Sequence, residues 1–218
     1  MSPVIKHHSR VAAVALVVAI AVALVACAST RRSCAEIVDP HLKQALFEQL
    51  TQENATTWIA DQFSATARRA EYTDGTVTLS WLSNDAFLLR FDRDLVEVRQ
   101  DWQVAIVTLE DITRCFGPPT HYQAAETPRP DAAPFVGISL WYEPAGLIFD
   151  SHDVGSAAPF GRVYPLFRRV TLLRRGPLER MLSTHYREGN FPVLRDVRCL
   201  RNWPGDLRLI TVDSDVCR

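Results

Sequence analysis

The chain has 218 residues, with 24 lysines and arginines against 25 aspartates and glutamates, and five cysteines. That balance lacks the basic face a nucleic-acid binder needs, so no nucleic-acid partner is expected. The length is enough for one substantial core or two small ones.

Lys6, His7, His8 and Arg10 open the chain, and sixteen residues drawn only from Val, Ala, Leu and Ile follow, Val11 to Ala26. A charged start followed by an apolar run is the order of a secretory signal. The run is short for a membrane span, which takes about 20 apolar residues. Leu24-Val25-Ala26-Cys27 resembles the lipobox of bacterial lipoproteins. That resemblance implies that the Cys27 sulfur accepts a diacylglycerol and that cleavage of residues 1–26, the signal peptide, leaves Cys27 first. Two other readings stay open: Ala26-Cys27-Ala28 fits an A-x-A site of ordinary secretion, or the leader stays as an anchor. All three put the rest of the chain outside the cytoplasm. The lipid reading makes the membrane a partner and the cell envelope the address.

The leader holds Lys6 and Arg10 and no acids, so the remaining 192 residues carry 22 basic and 25 acidic side chains, net −3. Beyond Cys27 lie Cys34, Cys115, Cys199 and Cys217. An even count outside the cytoplasm reads as disulfides. Four cysteines allow three pairings and spacing does not choose among them; the preferred reading joins Cys34 to Cys115 and Cys199 to Cys217. There is no C-x-x-C, and the cysteines lie too far apart for a compact zinc finger, so no metal and no cofactor is expected.

Residues 27–40 read as a tether. Leu42, Leu46 and Leu50 then form an amphipathic stripe with Pro40 ahead of it. From here two stretches look alike. In "TTWIADQF" and "LEDITRCFG", Ile59 and Phe63 match Ile112 and Phe116, each pair four apart and so on one helical face. In "LSWLSNDAFLLRFD" and "SLWYEPAGLIFD", Trp81 matches Trp141, and Phe91-Asp92 matches Phe149-Asp150, with a hairpin connection two residues shorter in the second copy. "LVEVRQDW" and the "VTLL" of "FRRVTLLRR" read as a further strand in each. The second helix has the clearer ends. Thr108 can accept from the Asp111 amide, Gly117 can take a left-handed conformation, and Pro118 and Pro119 stop continuation. Gly176-Pro177 opens a short helix, Leu178 to Tyr186, and "NWPGD" turns the chain into a last strand, "LRLITV". The expected fold is α+β: two tandem units of a helix and an antiparallel sheet, 41–108 and 109–175, then a helix and strand extension, 176–218.

"TLEDITRCFGPP", followed by "ISLWY" and "GLIFD", resembles the small SmpA/OmlA lipoproteins and the related modules that inhibit β-lactamase. Their pattern is a helix ending in Gly-x-Pro and then antiparallel strands bearing an aromatic. Gly117-Pro118-Pro119 departs from it, with a proline directly after the glycine. The likeness spans roughly residues 55 to 175 and implies a protein-binding module, with another envelope protein as partner.

Residues 64–75 make a short connection in the first stretch, whereas 118–136 in the second is long and holds Pro118, Pro119, Pro128, Pro130 and Pro134. The exit from the second hairpin, about 151–162, is enlarged too. Long loops in a compact domain are usually functional or disordered. Both should lie at one end of the second sheet and gather His121, Tyr122, Arg129, Phe135, His152, Asp153 and Phe160 into a binding surface. The plainer reading is a solvated, proline-rich flap. "DSHDVG" places carboxylates on both sides of an imidazole, so the alternative to binding is a metal-assisted hydrolase using Asp150, His152 and Asp153, with His121 able to join. A purely structural subunit is the third possibility. The spacing fits no established ligand set, and neither G-x-S-x-G nor H-E-x-x-H occurs. Arg168-Arg169 and Arg174-Arg175 flank a strand and read as solvated edges or as contacts to anionic lipid or glycan.

Overall fold

The computed structural model describes residues 32–103, 107–129, 132–155, 166–185 and 200–210, with side chains described except at 125–129, 132–136, 152–155, 185 and 207. Strands β1 (Arg68–Glu71), β2 (Val77–Leu82), β3 (Ala86–Asp92) and β4 (Asp94–Asp101) form one antiparallel meander. Strands β6 (His121–Arg129), β7 (Ala132–Tyr142), β8 (Leu147–Gly155) and β9 (Leu166–Leu173) form another. The two meet through their last strands: β4 pairs antiparallel with β9, Val98 opposite Leu172 and Gln100 opposite Val170. Two-residue β5 (Val107–Thr108) continues the β4 lane along β9, and β10 (Arg201–Asn202) borders β6. The result is one sheet in the order β1-β2-β3-β4-β9-β8-β7-β6-β10. Residues from Cys34 onward cluster as one compact unit. Mixed helix and antiparallel sheet is the α+β class expected, with the sheet predominant.

Alternation along the strands sorts the side chains. Leu79, Trp81, Phe87, Leu89, Val98, Val170, Leu172, Phe149 and Leu140 share one face and are all buried. Four helices supply the other half of that core: α1 (Cys34–Ile37), α2 (Leu46–Gln49), α3 (Ala55–Phe63) and α4 (Leu109–Phe116), through Ile37, Leu46, Phe47, Ala55, Ile59 and Ile112. The opposite face carries a smaller cluster, Trp141, Ile148 and Leu173, covered by Met181 and Leu182 of α5 (Leu178–His185).

Helices α3 and α4 both end on a phenylalanine followed by a residue with positive φ, Ser64 at 50° and Gly117 at 75°. Phe63 lies 5.1 Å from Trp81 and 5.0 Å from Phe87, which stack on each other across β2 and β3. Phe116 lies 6.1 Å from Tyr142 and 5.4 Å from Phe149. Offset and edge-on aromatic pairs of this kind add about 0.5–1.5 kcal/mol each beyond their buried area. In α4, Thr108 accepts from the Asp111 amide and the Asp111 carboxylate reaches back to Thr108, a capping box. Buried Tyr142 donates its hydroxyl to the Gly117 carbonyl at 3.0 Å, tying the end of α4 to the hairpin, and burial pushes its phenol well above the ordinary range.

Several expectations are corrected. Trp81 and Trp141 are not equivalent: Trp81 opposes Phe87 in the main core, while Trp141 opposes Ile148 on the other face. Strand side chains repeat every two residues, so a one-residue slip exchanges faces. The position matching Trp81 in its packing is Tyr142. The second hairpin connection is not shorter: Leu82↔Ala86 leaves residues 83–85 between strands, and Tyr142↔Leu147 leaves 143–146. The Leu42–Leu50 stripe is buried but holds only the one-turn α2, because Leu42, Leu46 and Phe47 donate to carbonyls three residues back. Leu207–Leu209 is a 3₁₀ turn rather than a strand, since Asp206 accepts from the Arg208 amide and its carbonyl from Leu209. Within the stretch expected as a tether, 27–40, Ile37 is fully buried and the Asp39 amide donates to the Gln100 side-chain oxygen.

The disulfide joins Cys34 to Cys115, as preferred, and fastens α1 to the last turn of α4. Cys27, Cys199 and Cys217 lie outside the described residues. No described helix is long and apolar enough to cross a membrane.

Candidate functional site

The described parts of the segments expected as loops are largely strands. Residues 121–129 are β6, 132–142 are β7, and β8 runs on to Gly155. The β6–β7 ladder continues to Arg129↔Ala132, and the β7–β8 ladder to Phe135↔Gly155. Prolines 128 and 134 are compatible with this because pairing is irregular between Thr127 and Arg129, where fewer backbone donors are needed. Eleven-residue β7 spans about 36 Å at the usual rise. Beyond the buried pair Ile138↔Ser151, Val136 and Phe135 of β7 are paired with both β6 and β8, and Ala132 with β6.

The expected binding set is thereby divided. Arg129 and Phe135, with His152 and Asp153 on the adjacent strand, lie along the outer part of this ladder by register; Phe160 falls outside the described residues. His121 and Tyr122 stand at the opposite end, opposite Trp141 and Leu140. His121 and Arg129 are the two ends of nine-residue β6, about 27 Å apart along the strand. Tyr122 is buried edge-on to Trp203, and His121 faces Glu143 at 3.9 Å. Register along β6 thus holds Arg129 away from His121 and Tyr122.

Of the Asp150, His152 and Asp153 set, only the Asp150 side chain lies within those described. It is buried on the sheet opposite Ser139, whose hydroxyl donates to it at 2.5 Å. Among the described residues no group of three His, Cys, Asp or Glu side chains could hold a metal ion. The arginine pairs are partly drawn into the fold: Arg169 bonds Asp101 at 2.5 Å, and Arg174 donates to the Phe47 carbonyl and lies over its ring.

A concave site lies elsewhere, at the seam of the two meanders. A cleft of about 310 Å³ opens between the end of the β3–β4 hairpin, the end of β9 and helix α5. Its lining includes Arg90, Asp92, Asp94, Leu95, Val96, Leu173, Arg174, Arg180, Ser183 and Thr184. Local chemistry builds it. The hairpin turns through Arg93 alone, in the left-handed region at φ 65°, a conformation that costs a non-glycine residue about 1–3 kcal/mol. Asp92 and Asp94 directly oppose each other, and Val96 is the extra residue of a bulge between Phe91↔Leu95 and Arg90↔Glu97. Beneath, Arg90 and Glu97 form an ion pair with side chains only 3% and 7% exposed, Nη2 to Oε2 at 2.6 Å and Nε to the same oxygen at 3.0 Å. Arg90 also donates to the Thr184 carbonyl in the last turn of α5, where the helix leaves acceptors unpaired and its dipole favours a cation. The pair thus clamps α5 to the sheet and gives the cleft a fixed floor.

Sequence reasoning missed this site. Its signal is "RFDRD", Arg90 to Asp94: an arginine at an otherwise apolar strand end, and two aspartates around a one-residue turn. Compared with protein-family models, with characterised proteins and with solved structures, the chain gives no match.

Proposed function

We propose that this chain is an exported lipoprotein of the bacterial cell envelope, held to a membrane by a diacylglycerol on Cys27, whose folded part binds another envelope protein without catalysing a reaction. The observation carrying the reading is the Cys34–Cys115 disulfide. Such bonds persist in oxidising compartments, and this one begins seven positions after the lipobox cysteine. A charged and then apolar leader ending in Leu24-Val25-Ala26-Cys27 supports export and lipidation. Two or more acyl chains on one cysteine hold a protein durably, where a single chain gives only marginal binding.

We read the body as two related units of a helix and a four-stranded meander, of the kind the SmpA/OmlA-like pattern implies. Supporting this are the helices ending in Phe63 and Phe116, the aromatic contact each makes with its own hairpin, and the meeting of the meanders through their last strands. The outer ladder of β6, β7 and β8 is the proposed partner surface. Crosslinking in intact cells tests it, using the full chain and a variant in which residues 126–136 are replaced by Asn-Gly between Ala125 and Gly137. One captured envelope protein, lost in the shortened variant at unchanged melting temperature, is expected. An identical crosslink in both, or none in the full chain, overturns the assignment.

A further inference from the structure

We infer that strand β1 is a docking edge for a second copy of this chain, which pairs with it antiparallel about a two-fold axis at Ala70. Among the described residues β1 ends the sheet order and pairs only with β2, and Arg68, Arg69, Ala70 and Glu71 are all exposed. Register fixes where its backbone groups point. The Tyr72 amide donates to the Thr76 carbonyl at 2.9 Å, so Tyr72 and Thr76 are a hydrogen-bonded pair where β1 turns into β2. Bonded and non-bonded pairs alternate along antiparallel strands. Ala70 and Arg68 therefore turn their N–H and C=O groups toward Thr78 and Ser80 of β2, and Arg69 and Glu71 turn theirs outward. Among the described residues no hydrogen bond reaches those outward groups. Such a row of backbone groups is a template for another strand.

The side chains select the occupant. "RRAEY", Arg68 to Tyr72, complements its own reverse when the two are centred on Ala70. Arg69 then stands opposite Glu71 of the second copy, and Glu71 opposite Arg69, on one face of the ribbon. On the other face Arg68 stands opposite Tyr72, which is 51% exposed and offers its ring to the guanidinium. The outward backbone groups of Arg69 and Glu71 meet in the same register, so charge pairing and hydrogen bonding agree. Arg69 and Glu71 already lie 3.4 Å apart within one chain with both side chains exposed, so each copy adds two charges to a cluster of alternating sign. Sliding one copy by two residues either way sets Arg69 opposite Arg69 or Glu71 opposite Glu71, and directly opposed like charges destabilise a strand pair. Charges on an edge commonly discourage pairing; here their order favours one register over its neighbours. Anchoring both copies in one membrane, as proposed above, raises their effective concentration and favours so short a contact.

The test is oxidative cross-linking of the full chain, purified in detergent, through Ala70→Cys. At a non-hydrogen-bonded antiparallel pair the Cα atoms stand about 4.5 Å apart, within the reach of a disulfide. Thr73→Cys, exposed but off the axis, and the unsubstituted chain set the background from the chain's own cysteines. The expected result on non-reducing gels is an Ala70→Cys dimer well above both backgrounds. Adding Arg69→Glu to Ala70→Cys makes both flanking positions acidic, and adding Glu71→Arg instead makes both basic. Each of these chains alone should cross-link roughly tenfold less, and mixing the two should restore the yield as the mixed dimer. All the substituted side chains are exposed, so unchanged melting curves are expected, and damage to the fold would not be repaired by mixing. An Ala70→Cys dimer no stronger than the Thr73→Cys background overturns the inference. So does a yield indifferent to the charge changes, which would mark random collision, or a mixture that cross-links no better than either chain alone. Because the chain is held in detergent, the outcome does not depend on lipid at Cys27 or on the β6–β8 surface, and failure here leaves the lipid-anchored binding role untouched.

Discussion

Replacing both Cys34 and Cys115 by alanine removes a cross-link whose cysteines stand 81 positions apart. Its main effect falls on the unfolded chain, which regains the freedom that loop closure had removed. For a loop of that length the closure relation gives about 4.5 kcal/mol. In a domain of 150–250 residues each kcal/mol moves the melting temperature by about 2–4 °C, so a drop of roughly 9–18 °C is expected. The assay is urea denaturation of the purified body and the double variant, with the other cysteines unchanged in both. The denaturant slope should rise in the variant, because a chain without the cross-link unfolds to a more open ensemble. Native hydrogen exchange should show amides of α1 released first, since Cys34 lies in α1 and the bond joins it to α4. A stability loss below about 1 kcal/mol with an unchanged slope would refute this reasoning about the unfolded state.

Arg90→Ala strands Glu97 inside the fold without its cation and should cost about 3–5 kcal/mol, read by urea denaturation. Arg90→Met with Glu97→Leu should cost less than that single change, because no buried charge is left behind. Gly146→Ala puts a Cβ 2.5 Å from the Leu173 carbonyl oxygen and 2.6 Å from Gln44 Nε2, at φ 69°. It should lower the melting temperature by an amount equivalent to at least about 1–3 kcal/mol. Burial alone would raise the Asp111 carboxyl, but hydrogen bonds from Thr108 and Arg114, with the Arg114 charge, outweigh it and hold it below the ordinary value. A folded pKa below the unfolded one stabilises above the unfolded value, and that contribution is lost as pH falls through the folded value. Asp111→Asn should therefore cost about 1 kcal/mol near neutral pH and nothing in strong acid, seen as converging denaturation curves.

What was legible in the sequence was local. Thr108, Asp111 and Gly117 mark the ends of α4 because capping and left-handed turns act within a few residues. The alternation of "TVTLSWL" and "LVEVRQDW" locates β2 and β4 for the same reason. Register was not legible: Trp81 and Trp141 look equivalent in the chain, yet pairing sends them to opposite faces. Five prolines made 118–136 read as a loop, although irregular pairing near Thr127 admits Pro128 to a strand. The cleft was hidden because Arg90, Asp94 and Arg180 come from three elements brought together by β4–β9 pairing and by α5, contacts remote in sequence. Short polar turns misled in the other direction. Asp206 coils the chain at 207–209, where the apolar pattern read as a strand.

The most direct measurement is mass spectrometry of the N-terminal peptide of the protein recovered from the membrane fraction of its cells. A peptide beginning at Cys27 and carrying the mass of a diacylglycerol thioether is the predicted result. A chain that still begins at Met1, or one with an unmodified thiol at Cys27 in the soluble fraction, would contradict the account.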